Sequence, residues 1–227
     1  MNLIDFDSVT KIYDGAAERA LDEVSFSVEG GHFVTITGKS GSGKTTLMNL
    51  LTGIDRPTAG AVTVAGEDLG RLDERRLSLW RGRTVGVVFQ FFQLLPTLTV
   101  AENVILPMEF CRLYRPRERE ERARSLLDRF GIADQADKLP HSLSGGQQQR
   151  AAIARALAND PPLIAADEPT GNLDSQTSEV VLGLFGELVA AGKTVVMITH
   201  EADYGRYATR SLTLKDGRLA GDAGGRP

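Results

Sequence analysis

Apolar and polar positions alternate early in the chain. Val24, Phe26 and Val28 are separated by serines, the period-two pattern of a half-buried strand, and Glu29-Gly30-Gly31 closes it. Residues 1–30 therefore predict short strands and turns at an antiparallel edge. Phe33-Val34-Thr35-Ile36-Thr37 is a β-branched run ending at Gly38, and the apolar positions of residues 47–51 read as a helix. Val85-Gly86-Val87-Val88-Phe89, Leu163-Ile164-Ala165-Ala166 and the run from Thr194 to Thr199 lack polar alternation, as strands covered on both faces do. Between about residues 91 and 158 the period changes: Ala123, Leu126, Leu127 and Phe130 fall at helical spacing, and residues 151–157 are rich in helix formers. Near the end, Ser-Leu-Thr-Leu from Ser211 predicts a hairpin turning at Asp216-Gly217, and residues 221–227 read as a frayed tail.

Taken in order, these segments predict an α/β chain with a parallel sheet. Its core spans about residues 1–90 and 159–227 with an antiparallel β edge, and a helical subdomain interrupts it at about 91–158. With 227 residues, one domain carrying an inserted subdomain is the natural expectation.

Composition narrows the function. Hydrophobic residues at 41% and charged residues at 25% exclude disordered and fibrous classes. A net charge of -4 gives no global attraction for a polyanion, so nucleic acid is not an expected partner. No run approaches the roughly 18–20 apolar residues needed to cross a bilayer, and the first residues carry acids where a signal peptide carries a basic segment; a cytoplasmic location is expected. Cys111 is the only cysteine, so no intrachain disulfide forms, and it reads as a packing residue rather than a reactive thiol.

The chemistry is carried by three motifs. Gly38-Lys39-Ser40-Gly41-Ser42-Gly43-Lys44-Thr45, between a strand and a helix, fits a phosphate loop, in which glycines let backbone N–H groups turn toward phosphate oxygens at a helix N-terminus. Lys44 would reach the β- and γ-phosphates, the Thr45 hydroxyl would ligate Mg²⁺, and Thr46 would add a phosphate contact. Asp167 and Glu168 end an apolar strand, where nucleotide sites of open α/β sheets lie; Asp167 suits the metal, and Glu168 suits a general base polarising the attacking water. Ser144-Gly145-Gly146-Gln147 opens a helix and is either a second anion site or an ordinary cap.

The octet from Gly38, with Gln90, Leu143-Ser144-Gly145-Gly146-Gln147, Asp167-Glu168, Asn172-Leu173-Asp174 and His200, resembles the ATPase cassettes of ABC transporters over nearly the whole chain. Val88-Phe89-Gln90, Leu94-Leu95-Pro96, Leu98-Thr99 and Glu102-Asn103-Val104 make it similar to the subgroup of lipoprotein-releasing, macrolide-export and cell-division ATPases. The resemblance implies a P-loop NTPase (RecA-like) core that binds ATP and Mg²⁺. It also implies an ATPase that forms a head-to-tail dimer with a second copy of itself. In that dimer Ser144, Gly145, Gly146 and Gln147 of one chain face the phosphate loop of the other. Gln90 would join the Mg²⁺ and water shell, His200 would hold the γ-phosphate and water, Asp174 would organise the interface, and Tyr13 would stack on adenine. The partner so implied is an integral-membrane permease at the cytoplasmic face of the membrane. The work is either export or release of a lipid-linked, peptide or drug-like substrate, or signalling without transport.

Several residues keep two readings. Tyr13 either stacks on adenine or packs. Phe91, Phe92, Leu94, Leu95 and Leu98 either belong to the helical core or form the groove that receives a permease helix. The arginine-dense residues 112–124 read as a solvated helix face, with Glu118–Arg122 and Glu120–Arg124 pairs, or as a contact for anionic lipid or the partner. His32 and His141 read as surface or cap residues and Trp80 as packing. Lys39 stands where the family usually has proline, and it either adds charge beside the phosphates or points to solvent.

Overall fold

In the computed structural model, which describes residues 2–13, 15, 18–200 and 207–224, two sheets and six helices alternate along the chain. β1 (Asn2–Lys11) and β2 (Leu21–Glu29) lead to β3 (Phe33–Thr37), α1 (Lys44–Leu51), β4 (Ala59–Val64) and β5 (Glu67–Asp68). Next come α2 (Glu74–Thr84), β6 (Val85–Phe89), α3 (Val100–Phe110), α4 (Pro116–Arg129) and α5 (Gly145–Ala156). β7 (Leu163–Asp167), α6 (Ser175–Ala190), β8 (Thr194–Ile198), β9 (Arg210–Lys215) and β10 (Arg218–Gly224) complete the order.

One sheet is antiparallel, in the order β2-β1-β4-β5; the other runs β10-β9-β3-β8-β7-β6. In the second, β6, β7, β8, β3 and β9 are mutually parallel, and only β10 turns back, against β9. The apolar runs of these strands follow from burial on both faces. Phe33, Ile164, Ala166, Val195 and Met197 meet Val104, Met108, Leu127, Ile153 and Phe185 of the helices. The alternate residues Val34, Ile36, Ala165, Val196 and Ile198 meet α1 and the antiparallel sheet. Close approach at one place fixes how α5 lies on the sheet: a Cβ on Gly86 would fall 2.2 Å from the Ala156 carbonyl oxygen.

The β-branched runs stand where periodicity predicts them, and the structure corrects other expectations. β1 and β2 have ten and nine residues rather than being short. The predicted frayed tail is strand to Gly224, because Arg210 holds Asp222 through two hydrogen bonds of 2.8 and 2.6 Å; residues 225–227 lie outside the described residues. Of the two predicted arginine pairs, Arg124–Glu120 forms at 2.6 Å. Glu118 instead accepts from the Arg115 backbone N–H at the start of α4, and Arg122 donates to the Ala158 carbonyl. Helix termination outcompetes the side-chain pair for Glu118. Cys111 is buried, and burial pushes its thiol up from the ordinary range, as suits packing.

Gly86→Ala should lose about 1–3 kcal/mol through overpacking against α5. Gly183→Ala, within α6 and with nothing within 4 Å of the added Cβ, should gain about 0.5–1 kcal/mol from helix propensity. Urea unfolding of both variants checks the pair, and equal midpoints would contradict it.

Candidate functional site

The loop between β3 and α1 can be made only with glycine at its tight points. Gly38, Gly41 and Gly43 have φ of 151°, 78° and 100°, a region that side chains resist. A Cβ at Gly38 would lie 2.3 Å from the Leu214 carbonyl oxygen, and one at Gly43 would lie 2.5 Å from that of Ala20. The Ser42 N–H donates to the Lys39 carbonyl and the Gly217 N–H to that of Ser42, each at 3.2 Å. The loop is thus clamped between the segment before β2 and the β9–β10 hairpin. α1 then starts with Gly43 at its N-cap and no side chain accepting from its first turn, which leaves backbone donors and the positive end of the helix dipole for an anion.

Lys44 is 6% exposed, and its ammonium donates to the carbonyls of Gly38 at 2.8 Å and Lys39 at 3.0 Å. Burial pulls its pKa down, while Glu168 and Asp167 oppose that. Thr45 is exposed, Thr46 half-buried and Ser42 buried, its hydroxyl without a partner among the described residues. Ser40 and Lys39 are exposed. Tyr13 lies over the first turn of α1, its hydroxyl 3.5 Å from that of Thr46 and its ring 4.8 Å from the Lys11 ammonium.

β7 delivers the carboxylates. Burial raises the Asp167 carboxyl above its ordinary range and Glu168 adds to that, with Lys44 and His200 opposing. Glu168 adopts φ 45°, a left-handed conformation that strains a residue with a side chain. Its N–H donates to the Ile198 carbonyl at 3.0 Å, and its carbonyl accepts from the Gly171 N–H at 3.1 Å. So held, its Oε1 lies 2.6 Å from Nε2 of His200. Gln90 follows β6, whose Phe89 pairs with Asp167. Its amide lies over Gly171, where a Cβ would be 2.8 Å from Nε2, and its carbonyl accepts from the Asn172 amide at 3.0 Å.

The structure therefore gathers Lys44, Asp167, Glu168 and His200 into one charged cluster, with Gln90 linked to it through the turn after Glu168. Gly38 to Thr46 and Tyr13 flank it at the start of α1, whereas Ser144, Gly145, Gly146, Gln147 and Asp174 lie at the starts of α5 and α6. Ser144 caps α5, its hydroxyl accepting from the Gln147 N–H at 3.3 Å while its own N–H donates to the Gln147 side chain at 2.9 Å. Gly146 is pressed on Thr177, and a Cβ there would lie 2.5 Å from its methyl carbon. Asp174 caps α6 through bonds of 2.9 and 2.7 Å from the Thr177 N–H and hydroxyl, which hold its carboxyl below the usual range. Sequence reasoning missed Leu214 and Gly217, whose backbone shapes the phosphate loop from more than 170 residues away, and Gly171, which makes room for Gln90.

The residues with open readings are also placed. Leu94 packs on the core, whereas Phe91 and Leu95 are exposed. A separate apolar groove of about 380 Å³ runs between α2 and α3, lined by Leu79, Val85, Leu106, Pro107, Phe110 and Cys111. His32 bonds to Thr209 at 3.1 Å and His141 is exposed. Trp80 is buried against Gly53.

A family model described as ABC transporter matches residues 21–171, more than half of the chain. An ABC transporter ATP-binding protein of Thermotoga maritima is 49% identical, over 97% of this chain and 94% of its own length. The lipoprotein-releasing system ATP-binding protein LolD of Aquifex aeolicus is 46% identical over 89% and 90%. The macrolide export ATP-binding/permease protein MacB of Hyphomonas neptunium is 45% identical over 98% of this chain, which spans 35% of that longer protein. Among solved structures, the dimeric post-hydrolysis state of the ATP-binding cassette MJ0796 bound to ADP and Pi has a TM-score of 0.90 at 41% identity, covering 99% of each chain.

Asp174→Ala should lower the thermal midpoint of the nucleotide-free monomer by removing the α6 cap. Because the native carboxyl is held below its usual range, its stabilisation is present above the unfolded pKa and is lost as pH falls through the folded one. Melting followed by circular dichroism should therefore show a deficit at neutral pH that narrows in acid. A pH-independent deficit would contradict the assignment.

Proposed function

Because this chain belongs to the ABC transporter family and is an ATPase of that family, we propose that two copies close head to tail around ATP and drive a separate membrane permease. The observation that carries this reading is the convergence, at one sheet edge, of the uncapped N-terminus of α1, the buried Lys44 ammonium and the Glu168–His200 contact. Phosphoryl transfer to water needs that set: donors for phosphate oxygens, neutralising charge and a base aligned with the nucleophile.

In this reading Gly38, Lys39, Ser40, Gly41, Ser42, Gly43, Lys44, Thr45 and Thr46 cradle the phosphates, and Tyr13 stacks on the adenine. The donor set fits Mg²⁺: Asp167 is a half-buried carboxylate whose pKa is raised by burial and then by its neighbour Glu168, so a nearby cation is favoured, and the Thr45 hydroxyl and Gln90 amide add hard oxygen donors. Held by Asp167, Thr45 and Gln90, the ion would supply neutralising charge for the phosphate oxygens. Glu168 takes the proton of the attacking water while His200 fixes the carboxylate and contacts the γ-phosphate. The strained backbone of Glu168 serves that aim.

Across the dimer, Ser144, Gly145, Gly146 and Gln147 of the second copy present another helix N-terminus. The cap there satisfies Ser144 and Gln147 and leaves the Gly145 and Gly146 N–H groups for the phosphate. Asp174, one helix on, keeps α6 and therefore Thr177 in register beneath Gly146. The chain acts as one domain in which the helices of residues 91–158 move against the core. The groove at Leu106 and Phe110 receives a short permease helix, which places the chain at the cytoplasmic face of the membrane; no helix among the described residues is long and apolar enough to cross it. The kinship with LolD and MacB supports release or export of a lipid-linked, peptide or drug-like substrate.

Glu168→Gln should bind ATP normally, fall by about 10²–10⁴-fold in turnover and elute as a dimer with Mg·ATP. Turnover like wild type would overturn the assigned base. Lys44→Ala should weaken ATP binding itself, read by calorimetry, and unchanged affinity would overturn the cradle. Captured from its native membrane with Mg·ATP, the Glu168→Gln chain should bring a permease with a large extracytoplasmic domain. Division proteins in its place would indicate signalling instead.

A further inference from the structure

A second concave site lies between the β4–β5 hairpin and α2. It encloses about 300 Å³, with Glu67 on the hairpin side and Arg76, Leu79, Trp80, Arg83 and Thr84 on the helix. The helical residues recur at i, i+3, i+4, i+7 and i+8, so they form one stripe. Such a stripe beside a hairpin is ordinarily apolar, yet here it carries two guanidinium groups.

Those arginines are uncommitted. Neighbouring Arg56 and Arg71 pair with Glu74 and Asp68 at 2.9 Å each, whereas Arg76 and Arg83 are exposed and enter no ion pair among the described residues. Between them stands Trp80, 9% exposed, its indole N–H shielded and without an acceptor among the described residues. The benzene edge of its ring is taken up by Gly53, whose added Cβ would lie 3.2 Å from Cζ3. Two guanidinium groups on one wall, without ion partners among the described residues, call for a shared acceptor, and planar guanidinium forks match phosphate oxygens.

The surroundings select the kind of anion. Glu67 on the opposite wall offsets one arginine, so the site holds one net positive charge and suits a singly charged phosphodiester better than a dianion. Leu79 on the lip is 39% exposed and also lines the apolar groove on the other side of α2, where Phe110 is 74% exposed. A charged pocket with an apolar lip matches an amphiphile with an anionic head. This positive patch is also local, since the whole chain carries a net charge of -4.

We propose that the groove between the β4–β5 hairpin and α2 binds the phosphodiester head group of an anionic phospholipid in the leaflet beside the permease. The inference rests on the reading that the Leu106 groove faces that permease, because continuity through Leu79 turns this pocket toward the bilayer. Arg76 and Arg83 grip the phosphate, the Trp80 ring lines the wall between them, and Leu79 lies under the glycerol and first methylenes.

Trp80 is the only tryptophan, so its fluorescence reports the site. Titrating the full chain, without nucleotide or permease, with phosphatidylglycerol vesicles should give a saturable spectral shift that phosphatidylcholine vesicles do not. Arg76→Gln with Arg83→Gln should weaken that binding about 10- to 30-fold and leave basal ATPase activity unchanged, whereas Arg117→Gln should change neither. Equal binding to both lipids, or wild-type binding by the double variant, would overturn the proposal. So would equal affinity for soluble glycerophosphoglycerol, which would make this a site for a free phosphodiester. Intact vesicle binding by the double variant with loss of permease capture would instead assign the pocket to a carboxylate of the permease. Because the assay omits permease and ATP, its failure leaves the reading of the Leu106 groove standing.

Discussion

The Lys44 ammonium is removed from water at the point where the central strands end, and much of the site's geometry answers that desolvation. A buried ammonium is tolerated only with acceptors and counter-charge at hand. Two loop carbonyls supply the acceptors, and Asp167 and Glu168, delivered by β7, supply the counter-charge. The loop can turn those carbonyls inward because Gly38 and Gly43 pass within van der Waals distance of the Leu214 and Ala20 backbone. The antiparallel edge and the β9–β10 hairpin are therefore structural parts of the nucleotide site, although they carry none of its reacting groups.

Three helix N-termini are finished in three ways, and the difference sorts their roles. α1 has a glycine cap and no side-chain acceptor, so its first turn stays available to an anion. α5 has a reciprocal Ser144–Gln147 box that occupies two donors and spares the two glycines between them. α6 is closed by the Asp174 carboxylate, which already provides the negative charge its dipole favours. In the proposed dimer Asp174 would act on the nucleotide through Thr177 and Gly146 rather than by contact. That also explains why a residue inside a nucleotide-binding motif stands away from the phosphate loop.

Much of the core and of the chemistry was legible in the sequence, for physical reasons. A strand buried on both faces cannot alternate, so β3, β6, β7 and β8 announce themselves as apolar runs. A phosphate loop must spend glycines at fixed spacing. The antiparallel sheet beyond β2, together with α2 and α6, left weaker traces. α2 has apolar residues only at Leu77, Leu79 and Trp80, and α6 is interrupted by Gly183 and Gly186, so neither shows a clean helical stripe. The contacts of Leu214 and Gly217 with the loop could not be read at all, because parallel pairing of β9 with β3 joins residues that no local pattern connects.

That uneven legibility reflects a division of labour. Residues that meet ATP answer to a ligand whose chemistry is fixed, so their types and spacing are narrow. In the proposed reading, residues that meet a membrane partner answer to whatever surface they face, and α2 carries a tryptophan and arginines that no general motif would pick out. The two regions are nonetheless joined by one element. α1 is eight residues long, roughly 12 Å, with the phosphate loop at its start and Gly53, packed by Trp80, just past its end. A buried indole on that joint makes α2 part of the support of the phosphate loop. The α2 face and the phosphate loop are thus held by opposite ends of the same short helix.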